Sequence, residues 1–176
     1  NYMEKTEKKI SLTGTRGNIY DRNGNLLAYN KLSYNVTLQD NGDYKRSNNR
    51  NRMLLELVRI LNRHGENVEG DFSVGYDSSG NMIFTTTSEA ARKRFLSDYY
   101  GLKKTYELDD ADGKYPSDVT AREVFDARVK YYGLDQLKDD NDNPIELTDE
   151  EALGIINIRY TMGLTAYRKY ESTTIA

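Results

Sequence analysis

The chain has 176 residues, enough for one domain with a proper core or for one domain with a small appendage. Charged residues make up 30%, apolar residues 37%, and mean hydropathy is −0.83, so the surface is very polar and the core modest. The net charge of −3 is spread in mixed sign along the chain and argues against nucleic acid as a partner, and the absence of cysteine excludes disulfides and thiolate metal sites.

The elements follow in chain order. Residues 1–12 are polar and of mixed charge, a strand or an extended lead-in. Residues 15–29 read as a hairpin around Asn23-Gly24, a signal for a type I′ turn with positive φ at both central positions, with Ile19 and Leu27 as strand material. Residues 32–38 alternate Leu32, Tyr34, Val36 and Leu38 onto one face of another strand. A loop rich in Asn, Asp and Gly follows over 40–52. From about 49 to 64, Met53, Leu54, Leu57, Val58 and Leu61 keep helical spacing, and Gly65 suits the stop.

Residues 72–76 and 81–84 flank Asp77-Ser78-Ser79-Gly80, a second hairpin signal. Thr86 with Glu89 has capping-box spacing and opens a helix that runs through about Tyr100 to Gly101. Residues 105–115 form a polar acidic loop. Thr120 and Glu123 make a second box, with Ala121, Val124, Phe125, Val129 and Tyr132 on one apolar face before Gly133. Thr148 and Glu151 make a third, opening the longest helix. It runs to about residue 170 and buries Ala152, Ile155, Ile156, Tyr160, Gly163 and Tyr167. No internal repeat stands out. The fold class is α+β: a small sheet of hairpins with a helical head of about four helices.

Candidate chemistry is thin. His64, the single histidine, ends a helix, where an imidazole complements the dipole more readily than it serves as acid, base or ligand. Asp139, Asn141, Asn143 and Glu150 stand at positions 1, 3, 5 and 12 of a calcium-loop spacing. However, Pro144 occupies the place that needs glycine, so the segment reads as a solvated acidic linker. Asp109, Asp110 and Asp112 lie in one polar loop with no apolar surroundings to raise a pKa, which fits solvation better than glycoside hydrolysis. Asn35-Val36-Thr37 matches a glycosylation sequon inside an expected strand. No G-x-S-x-G context supports a Ser-His-Asp set. No catalytic residue, metal site or cofactor is assigned.

The densest signal is residues 16–28. Arg16, Gly17, Ile19, Asp21, Arg22, Asn23, Gly24, Leu27 and Ala28 spell R-G-x-I-x-D-R-N-G-x-x-L-A. Two guanidinium forks and a carboxylate around a tight turn suit bidentate pairing across a domain contact, against the plainer reading of hairpin surface charges. This pattern resembles the signature that opens the exported part of class B penicillin-binding proteins. The order of elements fits too, including a long helix with an Arg-Tyr pair, here Arg159-Tyr160, and a returning strand over 170–176.

The resemblance implies a non-catalytic N-terminal pedestal or dimerisation module of a peptidoglycan transpeptidase. The serine nucleophile motif of that family is absent from this chain: no S-x-x-K and no K-T-G occur, Lys104-Thr105-Tyr106 failing at its last position. It also implies that Arg16, Gly17, Asp21, Arg22 and Gly24 form an interdomain junction and that Arg159 and Tyr160 are a structural helix pair. Residues 1–38 and 171–176 become stalk strands facing a transpeptidase domain, with 39–170 as the head. Implied partners are that domain, a membrane-embedded glycosyltransferase, other wall-synthesis proteins and a second copy in a homodimer. The 15 tyrosines suit partner surfaces and shallow cores alike. The implied location is the extracytoplasmic face of the cell membrane, anchored by a helix preceding Asn1. Both chain ends read as cuts from a longer protein, which a full-length gene of about this size would overturn. An exported adhesion or carbohydrate-binding module sharing only the hairpin signature is the alternative.

Overall fold

Four α-helices, two short 3₁₀ helices and six short strands make up the regular elements of a computed structural model that describes residues 17–29, 35–39, 47–109, 112–164 and 172–176. The strands pair only two by two, all antiparallel: β1 (Ile19–Tyr20) with β2 (Leu26–Ala28), β3 (Thr37–Leu38) with β6 (Thr173–Thr174), and β4 (Val74–Tyr76) with β5 (Met82–Phe84). The helices are α1 (Ser47–Arg63), α2 (Glu89–Tyr100), α3 (Ala121–Tyr132) and α4 (Asp149–Leu164). The α+β class with a helical head is therefore the fold observed. The chain divides into two compact units, residues 1–34 and 35–176.

In the second unit the α-helices supply most of the core, and Phe72, Val74, Leu108, Leu134, Leu137 and Ile175 complete it. Asn51, Leu54, Leu55, Val58 and Leu61 form the buried stripe of α1. Leu55 is on that stripe, whereas the expected Met53 and Leu57 are only half-buried, because the stripe is centred one position round from the sequence estimate. α3 opens on the expected capping box, with the Thr120 hydroxyl accepting from Glu123 N–H at 3.2 Å and Thr120 N–H donating to Glu123 Oε2 at 2.8 Å. The Thr148–Glu151 box opens α4 in the same way, each N–H to side-chain oxygen bond 3.1 Å long. For α2 the cap is Ser88, whose hydroxyl accepts from Ala91 N–H at 3.1 Å, and not Thr86. Glu89 then falls at the first helical position, too early to reach back as a box partner.

α4 is the central element. Ala152, Gly154, Ile155, Ile156, Ile158, Tyr160 and Thr161 are all buried, so apolar contact surrounds the helix instead of lying along one stripe. Gly163, expected on the buried face, is exposed, and Tyr167 lies outside the described residues. α1 crosses α4 closely at Gly154, where a Cβ would lie 2.9 Å from both γ carbons of Val58. The chain also closes on itself: Val36 N–H donates to Ala176 O at 2.7 Å, Ile175 N–H to Val36 O at 2.8 Å, and the Ile175 side chain is fully buried. Of the expected strand over 32–38, the paired residues are Thr37 and Leu38; Leu32 and Tyr34 lie outside the described residues, as do residues 1–12.

Candidate functional site

The first unit places the signature residues on a hairpin that is held by one carboxylate. Asp21 Oδ1 accepts from Asn23 N–H and Asn25 N–H, each at 2.8 Å, and Oδ2 accepts from the Asn25 side-chain amide at 2.7 Å. Gly24 N–H donates to Asp21 O at 3.0 Å, and Asp21 N–H to Asn25 O at 2.9 Å. Gly24 alone takes positive φ, +83°, because the Asp21 carboxylate organises a type I turn closed by a left-handed glycine and a register shift beside Ile19. The expected type I′ turn, with Asn23 also at positive φ, does not form. The Asn25 side-chain amide and the backbone N–H groups hold the Asp21 carboxyl below its ordinary range.

Both Asp21 oxygens are thus engaged in its own turn, so its contribution to any contact is to fix the turn's shape. Arg22 stands at that turn, and Gly17 has open space where a Cβ would point. Arg16 lies outside the described residues. Around the satisfied turn the strands present Ile19, Tyr20, Leu26, Leu27 and Tyr29 with relative exposures from 49% to 66%.

In the second unit Arg159 and Tyr160 sit where three helices meet. Arg159 Nη1 donates to Asn51 Oδ1 at 2.7 Å and to Tyr132 O at 3.2 Å, and the Asn51 amide donates to that same carbonyl at 2.9 Å. Tyr132 ends α3, so its carbonyl has no partner within the helix. α1 and α4 satisfy it together. The Arg159 guanidinium lies 4.1 Å from the Tyr132 ring centroid, and burial pulls its pKa down from the usual arginine range. Tyr160 packs edge-on to Phe72 at 5.4 Å, and burial pushes its phenol well above the usual range.

Arg128 repeats the device, donating from Nη2 to Tyr99 O at the end of α2 at 2.6 Å while lying 4.3 Å from the Tyr99 ring. Neither Asn51 nor Arg128 stood out in the sequence. The signals that could have marked them were a polar residue on an otherwise apolar helical stripe and a second arginine beside paired tyrosines.

The acidic candidates resolve into local structure. Asp139 heads a turn in the exposed segment before α4: its Oδ1 accepts from Asn141 N–H and Asn143 N–H, and its Oδ2 from the Asn143 amide, at 2.7–3.0 Å. Lys138 and Pro144 flank it as a β-bridge, and Asp140 forms a two-pronged pair with Arg52 of α1. Asp109 accepts from Ser117 N–H at 2.7 Å and from its hydroxyl at 2.6 Å; Asp110 lies outside the described residues. Among the described residues no three acidic or histidine side chains converge as metal ligands, and no helix is long and apolar enough to cross a membrane.

A family model described as the penicillin-binding protein dimerisation domain matches residues 11–149. A comparison with curated proteins gave no match.

Proposed function

The chain belongs to the penicillin-binding protein dimerisation domain family, a non-catalytic module of cell-wall proteins, and we propose that it is the pedestal on which a D,D-transpeptidase domain of the same polypeptide is held. The observation that supports this is the hairpin. Its turn satisfies its own polar groups, yet five large apolar side chains on and beside its strands are 49% to 66% exposed. A two-stranded hairpin of this size is marginal alone, and large apolar side chains exposed on both of its faces call for a cover. Its cover is the transpeptidase domain, with Asp21 and Gly24 setting the turn and Arg16, Gly17 and Arg22 forming the polar edge of the contact.

The head carries docking surfaces for a membrane-embedded glycosyltransferase, other wall-synthesis proteins or a second copy. The module works at the extracytoplasmic face, tethered by a membrane helix that precedes Asn1.

The test is made in the longer protein that carries the S-x-x-K motif. Leu27→Asp should leave the melting temperature of the isolated 176-residue chain unchanged. In the longer protein it should expose the interdomain segment to limited proteolysis and slow acylation by a fluorescent penicillin. Unchanged proteolysis and acylation would sink the junction role. Penicillin labelling of the isolated chain would overturn its non-catalytic assignment.

A further inference from the structure

The last turns of α2, α3 and α4 and the first turn of α1 surround a pocket of about 410 Å³. Arg50, Arg128 and Arg159 line it, against Asp98 as the single acid among the described lining residues. Helix C-termini attract cations, and two of these guanidinia do donate to helix-end carbonyls, Arg128 to Tyr99 O and Arg159 to Tyr132 O. Neutralising helix ends does not explain the whole arrangement, for two reasons.

First, two donors from different helices are buried with no hydrogen-bond partner among the described residues: Arg128 Nε and the hydroxyl of Tyr160, a residue only 5% exposed. Buried donors are nearly always paired, so a pair of orphans beside one pocket calls for an acceptor. Second, large apolar side chains stand exposed at the pocket. Tyr131 is 74% exposed and Leu164 41% exposed, and half-buried Met162 lies beside them. Arginine, tyrosine and methionine are the residues enriched in the anchoring centres of protein contacts.

We propose that this pocket binds an acidic peptide segment of a partner protein. A carboxylate accepts from the Arg128 guanidinium and the Tyr160 hydroxyl, Arg50 adds positive charge to the lining, and an apolar side chain next to the carboxylate lies against Tyr131 and Leu164. A carboxylate is an acceptor-only group that guanidinium forks hold in two-pronged geometry, and the adjoining apolar shelf selects a peptide over a bare anion. This gives a chemistry to the docking role of the head and rests on that reading. It does not involve the hairpin, so its failure leaves the pedestal role standing.

The test uses the 176-residue chain and a fluorescein-labelled, amide-capped peptide in which two glutamates flank a phenylalanine, followed by anisotropy. Binding should saturate and weaken as salt rises. The version with two glutamines should bind about tenfold more weakly or worse, as expected when charge-assisted bonds are removed. Tyr131→Ala and Arg50→Gln should each weaken binding by roughly fivefold, the scale of a modest contact residue, without moving the melting temperature.

Equal affinity for the glutamine peptide, or no saturation, would overturn the proposal. So would tighter binding of inorganic phosphate or of phosphatidylglycerol vesicles, which would make the site one for simple anions or a lipid surface. A dimer of the chain that Tyr131→Ala dissociates would assign the pocket to a second copy instead. Should Arg50→Gln fail to fold, the exposed Tyr131 carries the test alone.

Discussion

The β1–β2 and β4–β5 hairpins are built on the same pentad, Asp21-Arg22-Asn23-Gly24-Asn25 and Asp77-Ser78-Ser79-Gly80-Asn81, and differ in everything around it. In both, the aspartate carboxylate accepts two backbone N–H bonds and the side-chain amide of the closing asparagine, and the glycine takes φ near +80°. Beyond the turn they part. Val74 is buried, and Phe72 and Phe84 join a ring cluster with Phe95 at 5.6 and 6.1 Å. Every large apolar side chain of the first hairpin is exposed. The turn is autonomous and repeats wherever the pentad occurs. A third copy at Asp139–Asn143 even dispenses with glycine, placing Asp142 at φ +64°. The faces of a hairpin are not autonomous: those of the second hairpin pack on the helices, and those of the first are exposed.

The largest test of that contrast compares the two faces in the isolated chain. Phe72→Ala removes a ring packed on both Phe95 and Tyr160 and should cost about 3–5 kcal/mol in urea unfolding. Leu27→Ala should stay within about 0.5 kcal/mol, the range for exposed positions. Comparable losses at both sites would mean that the first hairpin already has its core, and the contrast would fail.

A smaller effect separates the two units by their glycines. Gly154→Ala should destabilise by about 1 kcal/mol net, because about 1–3 kcal/mol of overpacking against Val58 outweighs about 1 kcal/mol of gained helix propensity. In a Val58→Ala background the same change should become stabilising, since the clash is gone. Gly17→Ala meets no heavy atom within 4 Å and should be neutral in the isolated chain. Additive losses in the Gly154–Val58 double variant would show that the close crossing is not the cause.

What the sequence made legible was local. The boxes at Thr120–Glu123 and Thr148–Glu151, the stops at Gly101 and Gly133 and both hairpin positions depend on residues a few places apart. The family signature over residues 16–28 was legible for the same reason. The Asn23-Gly24 pair taken alone signals a type I′ turn, whereas the aspartate two places before it decides for type I. The three copies of the pentad do not read as a repeat because the third replaces glycine with aspartate. The buried girdle of α4 and the roles of Asn51 and Arg128 were out of reach, because their partners lie 29 to 108 residues away along the chain. A helix surrounded by others has no stripe for periodicity to find.

The smallest effect is a pH dependence that should appear in one hairpin's unit and not in the other's. The Asp77 carboxyl is held below its ordinary value of 3.8, first by the Asn81 backbone N–H and then by the Asn81 side-chain amide. Its folded pKa is therefore lower than its unfolded one. The bound state of the turn contributes stability that is fully present above the unfolded value and disappears as pH falls through the folded one. Asp77→Asn removes that titration, so the urea stability of the residue 35–176 unit should fall less steeply below about pH 4 than in the parent sequence. Asp109 and Asp139, held down by Ser117 and Asn143, keep the rest of the acid limb in place. Asp21→Asn should leave that limb unchanged and instead speed amide exchange at Asn23 and Asn25, the two N–H groups its carboxylate holds. Identical acid limbs for the Asp77→Asn variant and the parent would break the account, because a turn coupled to a packed core must pass its titration on to global unfolding, whereas one on an uncovered hairpin can open by itself.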